Sequence, residues 1–251
     1  MADPLTLIAI VATFLLAGTV KGVIGMGLPT VSLALLTVLL DLPTAMALML
    51  LPSFTTNVWQ ATVGGNGLVI LRRSPVFFIL ATGGVWIGGG ALVSVDLSLL
   101  SGLLGFLLIL YGSSGLANYS FTIGPTQERL AGTVAGFING ILTGMTGSFA
   151  FPGVLYLQAL ALKREELIQA MGILFTLSTI SLAISLQSNA LLSTKLFVVS
   201  STGLLPAVLG MMFGQRIRQH MSEIMFRRVF LISLVLLGVY IATFSLIKFS
   251  G

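Results

Sequence analysis

Few residues in this chain could do chemistry, and the first of them is a cation in an apolar stretch. Lys21 stands directly before Gly22-Val23-Ile24-Gly25-Met26-Gly27-Leu28-Pro29. A charge held inside a membrane marks a functional site by default, and a lone ammonium suits a small anion. The structural alternative is that its stem lies along apolar surface while the ammonium reaches the interface. Asn57 and Gln60 share a helical face at spacing three. Gln169, Thr176, Ser178 and Thr179 sit in a comparable apolar run later in the chain. For the hydroxyls, bonding within or between helices is the favoured reading; for Asn57 and Gln169 a binding role stands level with it.

Other chemistries find no support. There is no Ser/His/Asp arrangement, no metal-ligand cluster and no glycine loop between strand and helix, so neither an enzyme nor a cofactor is expected. Cysteine is absent, which excludes disulfides and thiolate sites. Met26 and Met145 occupy matching places, but methionine is more often flexible packing than a ligand. His220 lies among Arg216, Arg218, Glu223, Arg227 and Arg228 and reads as a solvated loop residue.

The stretch that follows Lys21 occurs twice. Half a chain later stands Asn139-Gly140-Ile141-Leu142-Thr143-Gly144-Met145-Thr146-Gly147, completed by Ser148 to Pro152. Ala17-Gly18 precedes the first copy as Ala135-Gly136 precedes the second. An interior glycine costs a helix about 1 kcal/mol and a proline about 3, so both helices should break here. Lipid cannot satisfy the freed backbone groups, so such a break must face protein or line a cavity. Paired breaks of this kind point to a transporter's binding site.

The elements that must position these residues are membrane helices. Of 251 residues, 56% are hydrophobic and 8% charged, against about 25% charged in soluble domains. The twelve Lys and Arg form no basic run on a soluble fold, so nucleic acid is not an expected partner; membrane lipid is. Apolar segments fall at about 5–20, 28–40, 44–63, 75–94, 97–117, 130–142, 152–162, 167–187, 191–214 and 226–247. Six have about the 20 residues that a bilayer demands, and the first two of each five are short. The first run lacks a basic leader and resembles the sixth, so it reads as structure and not as a signal.

The chain is therefore expected to be an all-α integral membrane protein of two five-segment repeats, 1–120 and 121–251, each opening with a broken short helical pair. In this alignment Gly88 and Leu92 fall against Gly210 and Gly214, and Gly112 against Gly238. If each pair returns to its starting side, one face collects ten of the twelve basic residues, Lys21, Arg72, Arg73, Arg129, Lys163, Arg164, Arg216, Arg218, Arg227 and Arg228; the other keeps Lys195 and Lys248. The ten-charge face would be cytoplasmic, with both termini outside. A re-entrant hairpin and two short full crossings satisfy this equally. The second repeat would run inverted to the first.

Two glycine-rich breaks, each followed by proline, in a basic chain with a long Leu/Gly-rich helix closing each half, resemble the sulfite exporter TauE/SafE family of membrane transporters. The resemblance covers essentially the whole chain. It implies a multi-pass cell-membrane permease for sulfite, sulfonates or other small sulfur-containing or organic anions. The single Gly-Met-Gly of the first copy and Ser148-Phe149-Ala150-Phe151 in the second depart from the family pattern, so the substrate does not carry over. An anion channel and a membrane scaffold stand as alternatives.

An anion would be expected between the two breaks. Half-helices starting near Leu28 and Phe151 would present N-termini to it, with the two breaks meeting near the bilayer centre. The candidate site is Lys21 for charge, backbone around Gly25, Gly27, Pro29, Thr30, Gly144, Gly147, Ser148 and Pro152, and Asn57, Asn139 and Gln169 for orientation. No acidic residue falls mid-segment, which weakens a carboxylate proton relay.

Overall fold

The computed structural model describes residues 3–117, 122–220 and 222–250, and among them the protein is helical without strands. The first half contains α1 (Pro4–Ile24), α2 (Leu28–Leu39), α3 (Leu42–Thr62), α4 (Gly67–Arg73), α5 (Pro75–Gly89), α6 (Ala91–Ser94) and α7 (Leu97–Leu116). The second contains α8 (Pro125–Thr146), α9 (Gly153–Ala159), α10 (Arg164–Ser188), α11 (Thr194–Thr202), α12 (Leu204–Ile217) and α13 (Glu223–Ser250). Among the described residues, six segments are long and apolar enough to cross a membrane: Pro4–Ile24, Pro75–Ser94, Leu97–Leu116, Arg164–Ser188, Thr194–Ile217 and Ile224–Phe249.

Local sequence sets most boundaries. Asp41 accepts the Thr44 N–H at 2.8 Å to open α3, and Asp96 accepts that of Ser98 at 2.7 Å to open α7, each taking up one of a helix's unsatisfied first donors. Pro4, Pro75 and Pro125 begin α1, α5 and α8, where a missing N–H costs nothing. Gly25 at φ 85°, Gly27 at φ 107° and Gly147 at φ 73° hold left-handed backbone at the two breaks, which glycine adopts without a Cβ penalty.

Both broken pairs fold back on themselves. Leu36, Leu39 and Leu40 at the end of α2 lie beside Leu5, Thr6, Ala9 and Ile10 at the start of α1. In the second half the Ile123 N–H donates to the Ala159 carbonyl at 2.9 Å, which returns the end of α9 to the start of α8.

Two expectations need correction. The opening segments are not short: α1 has 21 residues and α8 has 22, or about 32 and 33 Å at 1.5 Å per residue. Gly22, Gly140 and Gly144 stay helical; the left-handed backbone that ends α1 and α8 is supplied by Gly25 and Gly147 at their C-caps. α4 was not anticipated, being only 7 residues between two longer runs.

The helices pack in crossed pairs: α1 against α12, α5 against α8, α3 against α10, and α7 against α13. Small residues bring the backbones together, as is usual where lipid gives no hydrophobic drive. Gly22 lies against Met211, Gly214 and Gln215, and Gly140 lies against Leu80, Ala81 and Gly84. Gly214 thus meets Gly22 as Gly84 meets Gly140. Gly112 packs on Leu231 and Val235, and Gly238 on Gly105 and Ile109.

Pro52 lies inside α3 and cannot donate to the Leu48 carbonyl one turn back. The Ser200 hydroxyl of α11 donates to that carbonyl at 2.7 Å and accepts the Leu51 N–H at 3.3 Å. A neighbouring helix thus satisfies the group that proline frees, as lipid could not.

Candidate functional site

The Lys21 side chain is 3% exposed, three residues before the end of α1. Its ammonium donates to the Asn57 amide oxygen and, at 3.2 Å, to the Thr56 hydroxyl, both on α3. Among the described residues no carboxylate pairs with it. Two neutral acceptors offset only part of the several kcal/mol that removing an ion from water costs.

Lysine carries donors only, so the Asn57 oxygen must face it. The amide nitrogen is turned away and buried, and among the described residues it has no partner. An unmade hydrogen bond of this kind costs about 1–3 kcal/mol. Lys21 and Asn57 together thus present N–H donors that the protein itself does not use.

Lys21 forms part of the wall of a cavity of about 420 Å³, with Gly22, Gly25, Trp59, Gln60, Ile168 and Gln215 among its lining and Glu165 and Arg218 toward the helix ends. The volume suits a small molecule, for which sites of about 300–1,000 Å³ are typical. A second cavity of about 150 Å³ lies at the other end of the bundle, lined by Asp41, Ser98, Tyr240 and Lys248 among others. It holds no buried charge, and its Asp41 is already committed to the α3 cap.

Below the Lys21 cavity, α3 and α10 are tied by a reciprocal pair of amides. The Gln60 nitrogen donates to the Ile168 carbonyl at 2.6 Å and to the Gly25 carbonyl at 3.0 Å. The Gln169 nitrogen donates to the Ala61 carbonyl at 2.9 Å, and its oxygen accepts the Asn66 N–H at 3.0 Å. Gln60 therefore holds a carbonyl left open by the first break. Both polar atoms of Gln169 are engaged in the scaffold.

The remaining sequence candidates divide into three groups. Gly25 lines the cavity, whereas Gly27 lies against Val20 and Phe230, and Pro29 and Thr30 lie in the buried first turn of α2. Gly144 sits against Val85, Gly88 and Gly89 of α5 as a helix contact. Asn139, Gly147, Ser148 and Pro152 belong to the second break. There the Asn139 oxygen accepts the Gly153 N–H at 3.0 Å and the Thr143 hydroxyl donates to the Ser148 carbonyl at 3.0 Å.

The two breaks do not meet. Gly25 lies at Gln60 and Gly147 against Met46 and Met49. Gln60 and Met46 are fourteen residues apart on α3, or about 21 Å. The antiparallel packing of α3 and α10 separates what the duplicated motif alone placed together. Met26 takes a hydrogen bond from the Tyr111 hydroxyl at 2.8 Å, in keeping with a packing role.

Sequence reading left Trp59, Ile168, Met211 and Gln215 out of the site, and it treated the Ser178 hydroxyl as structural. Only Gln215 carried a signal, beside Gly214, which packs on the Lys21 helix.

At the rim, Arg73 makes a two-point pair with Glu128 at 2.6 and 3.2 Å and also donates to the Leu160 carbonyl at 3.1 Å. The carboxylate, chiefly through this hydrogen bond, raises the Arg73 guanidinium above its ordinary value. Arg73 is 39% exposed, so the pair positions the start of α5 against α8 and adds little stability.

Comparison with known proteins gives one match. A family model described as sulfite exporter TauE/SafE covers residues 10–241. No curated protein and no solved structure matches the chain.

Proposed function

Since the chain belongs to the sulfite exporter TauE/SafE family of membrane transporters, we propose that it carries a small sulfur-containing anion, a sulfur oxyanion or sulfonate, across the cell membrane by alternating access around Lys21. The observation that carries this reading is the buried ammonium at the cavity wall, held by neutral oxygens, with the Asn57 N–H donors unused beside it. An anion there would replace the missing counter-charge. A single fixed charge still lets it leave.

Alternating access follows from two inverted repeats, 1–120 and 121–251. The crossed pairing supports this, because exchanging the halves turns α1 with α12 into α8 with α5 and leaves α3 with α10 and α7 with α13 unchanged. Gly112 on Leu231 and Val235 becomes Gly238 on Gly105 and Ile109 under the same exchange. The basic face, into which the Lys21 cavity opens beside Arg218, is assigned to the cytoplasm.

Flux is the test. Purified protein in liposomes should exchange sulfite or a sulfonate down a gradient, saturably. A ligand at 100 times its dissociation constant should add about 2.7 kcal/mol to the stability of detergent-solubilised protein. Vesicles inert across sulfite, sulfate, thiosulfate, sulfonates and carboxylates would overturn the reading, and unsaturable conductance would make the protein a channel.

A further inference from the structure

Among the described residues, four buried polar atoms on α3, α8 and α10 have no hydrogen-bond partner: the amide nitrogens of Asn57 and Asn139 and the hydroxyls of Ser53 and Ser178. All four side chains are fully buried. Orphans of this kind are uncommon, and each calls for an explanation. Asn57 belongs to the Lys21 site. The others do not.

Asn139 is fixed by its oxygen, which accepts the Gly153 N–H at 3.0 Å. Its nitrogen is thereby turned away with two unused donors. Gly153 abuts Leu174 of α10, and Ser178 follows Leu174 by one turn on the same side of that helix. The register of α3 on α10 gives the depth. Gln169 bonds to Ala61; eight residues back from Ala61 is Ser53, and nine on from Gln169 is Ser178. Asn139 and Ser178 thus lie at about the depth of Ser53 and Asn57.

The two sides are counterparts. Lys21 precedes Gly22, which packs on α12, as Asn139 precedes Gly140, which packs on α5. The geometry points to a second position for the same anion, formed by the Asn139 amide nitrogen and the Ser178 hydroxyl and closed in this conformation. It rests on the transport reading above. Its ligand is a small oxyanion, since the amide nitrogen can only donate and the hydroxyl can donate alongside it. It carries no full charge, so an anion leaving Lys21 would meet hydrogen bonds without being trapped.

The test uses the full chain in liposomes and in detergent, with sulfite as probe. Asn139→Asp keeps the acceptor for Gly153 and removes the donors; Ser178→Ala removes a hydroxyl that has no partner. The expected result for Ser178→Ala is an unliganded melting temperature equal to or above the parent's. Sulfite exchange should be about tenfold slower, with sulfite-induced stabilisation at Lys21 retained. Asn139→Asp should slow exchange further. Parent-like exchange in Ser178→Ala and in a folded Asn139→Asp overturns the second position and leaves transport standing; that would assign the orphan groups to water or to the core. If the parent neither binds nor moves any anion, the transport reading fails and takes this position with it.

Discussion

The Lys21 ammonium donates to the oxygen of the Asn57 amide and so leaves the nitrogen of that amide unpaired in the bundle interior. The cation lines a cavity, and the unused N–H donors lie buried directly behind it on α3. On the function proposed above, an anion beside Lys21 would supply the counter-charge that the described residues do not.

Removing the charge should separate binding from stability. Lys21→Gln is expected to weaken anion binding by about 1.5–3 kcal/mol, or roughly 10- to 150-fold, the range for a hydrogen bond to a charged group. The unliganded melting temperature should hold or rise, because an unpaired buried charge is itself a cost. Thermal shift with and without sulfite reads both; a folded variant that binds like the parent would remove Lys21 from the site.

The reciprocal amides should behave as one unit. Gln60→Leu leaves the Gly25 carbonyl open and takes the second donor from the Ile168 carbonyl, and Gln169→Leu leaves the Ala61 carbonyl open, so each should cost about 1–3 kcal/mol. Because both act on the same contact between α3 and α10, the double variant should cost less than the two together. Strict additivity in detergent unfolding would show that the two ties are independent.

Ser200→Ala tests the repair of the proline break. It leaves the Leu48 carbonyl without its 2.7 Å donor and should destabilise the protein by about 1–3 kcal/mol. Adding Pro52→Ala, which restores the helical N–H, should recover part of that loss. No recovery would mean that the Ser200 hydroxyl acts elsewhere.

Glycine contacts can be graded against an internal control. A Cβ on Gly22 would fall on the Met211 carbonyl and against Gly214, whereas Gly83 has nothing within 4 Å. Gly22→Ala should cost about 1–3 kcal/mol by overpacking. Gly83→Ala should be neutral or gain up to about 1 kcal/mol of helix propensity. Equal melting temperatures for the two variants would contradict the close approach of α1 and α12.

Orientation is accessible because the chain has no cysteine of its own. Single cysteines at Asp3 and at His220 should label differently with an impermeant thiol reagent on intact cells, position 3 reacting and position 220 protected. The reverse pattern would turn the basic face outward, against the charge rule.

Much of the scaffold could be read from the chain alone. Glycines with no helical alternative, Pro29 and Pro152 beyond them, aspartates before Leu42 and Leu97, and apolar runs of bilayer length act through local backbone chemistry, which needs no neighbour to be known. Hence the ten apolar segments correspond to helices and both breaks fall within the duplicated motif. Of the candidate site, sequence marked Lys21 together with Asn57 and Gly25, which the structure places beside it. Lys21 stands out because an ammonium in apolar sequence is costly wherever the helix packs.

The rest required the tertiary structure, because in a membrane the lipid-facing and protein-facing sides of a helix are equally apolar and periodicity no longer marks the buried face. Sequence could not tell that Gln60 and Gln169 reach across to each other's helix, or that Gly22 packs on Gly214 and Gly140 on Gly84. Nor could it tell that Gly144 serves packing, or that α3 and α10 hold the two breaks apart. Those facts depend on which face of each helix meets which partner, and only close packing of the helices decides that.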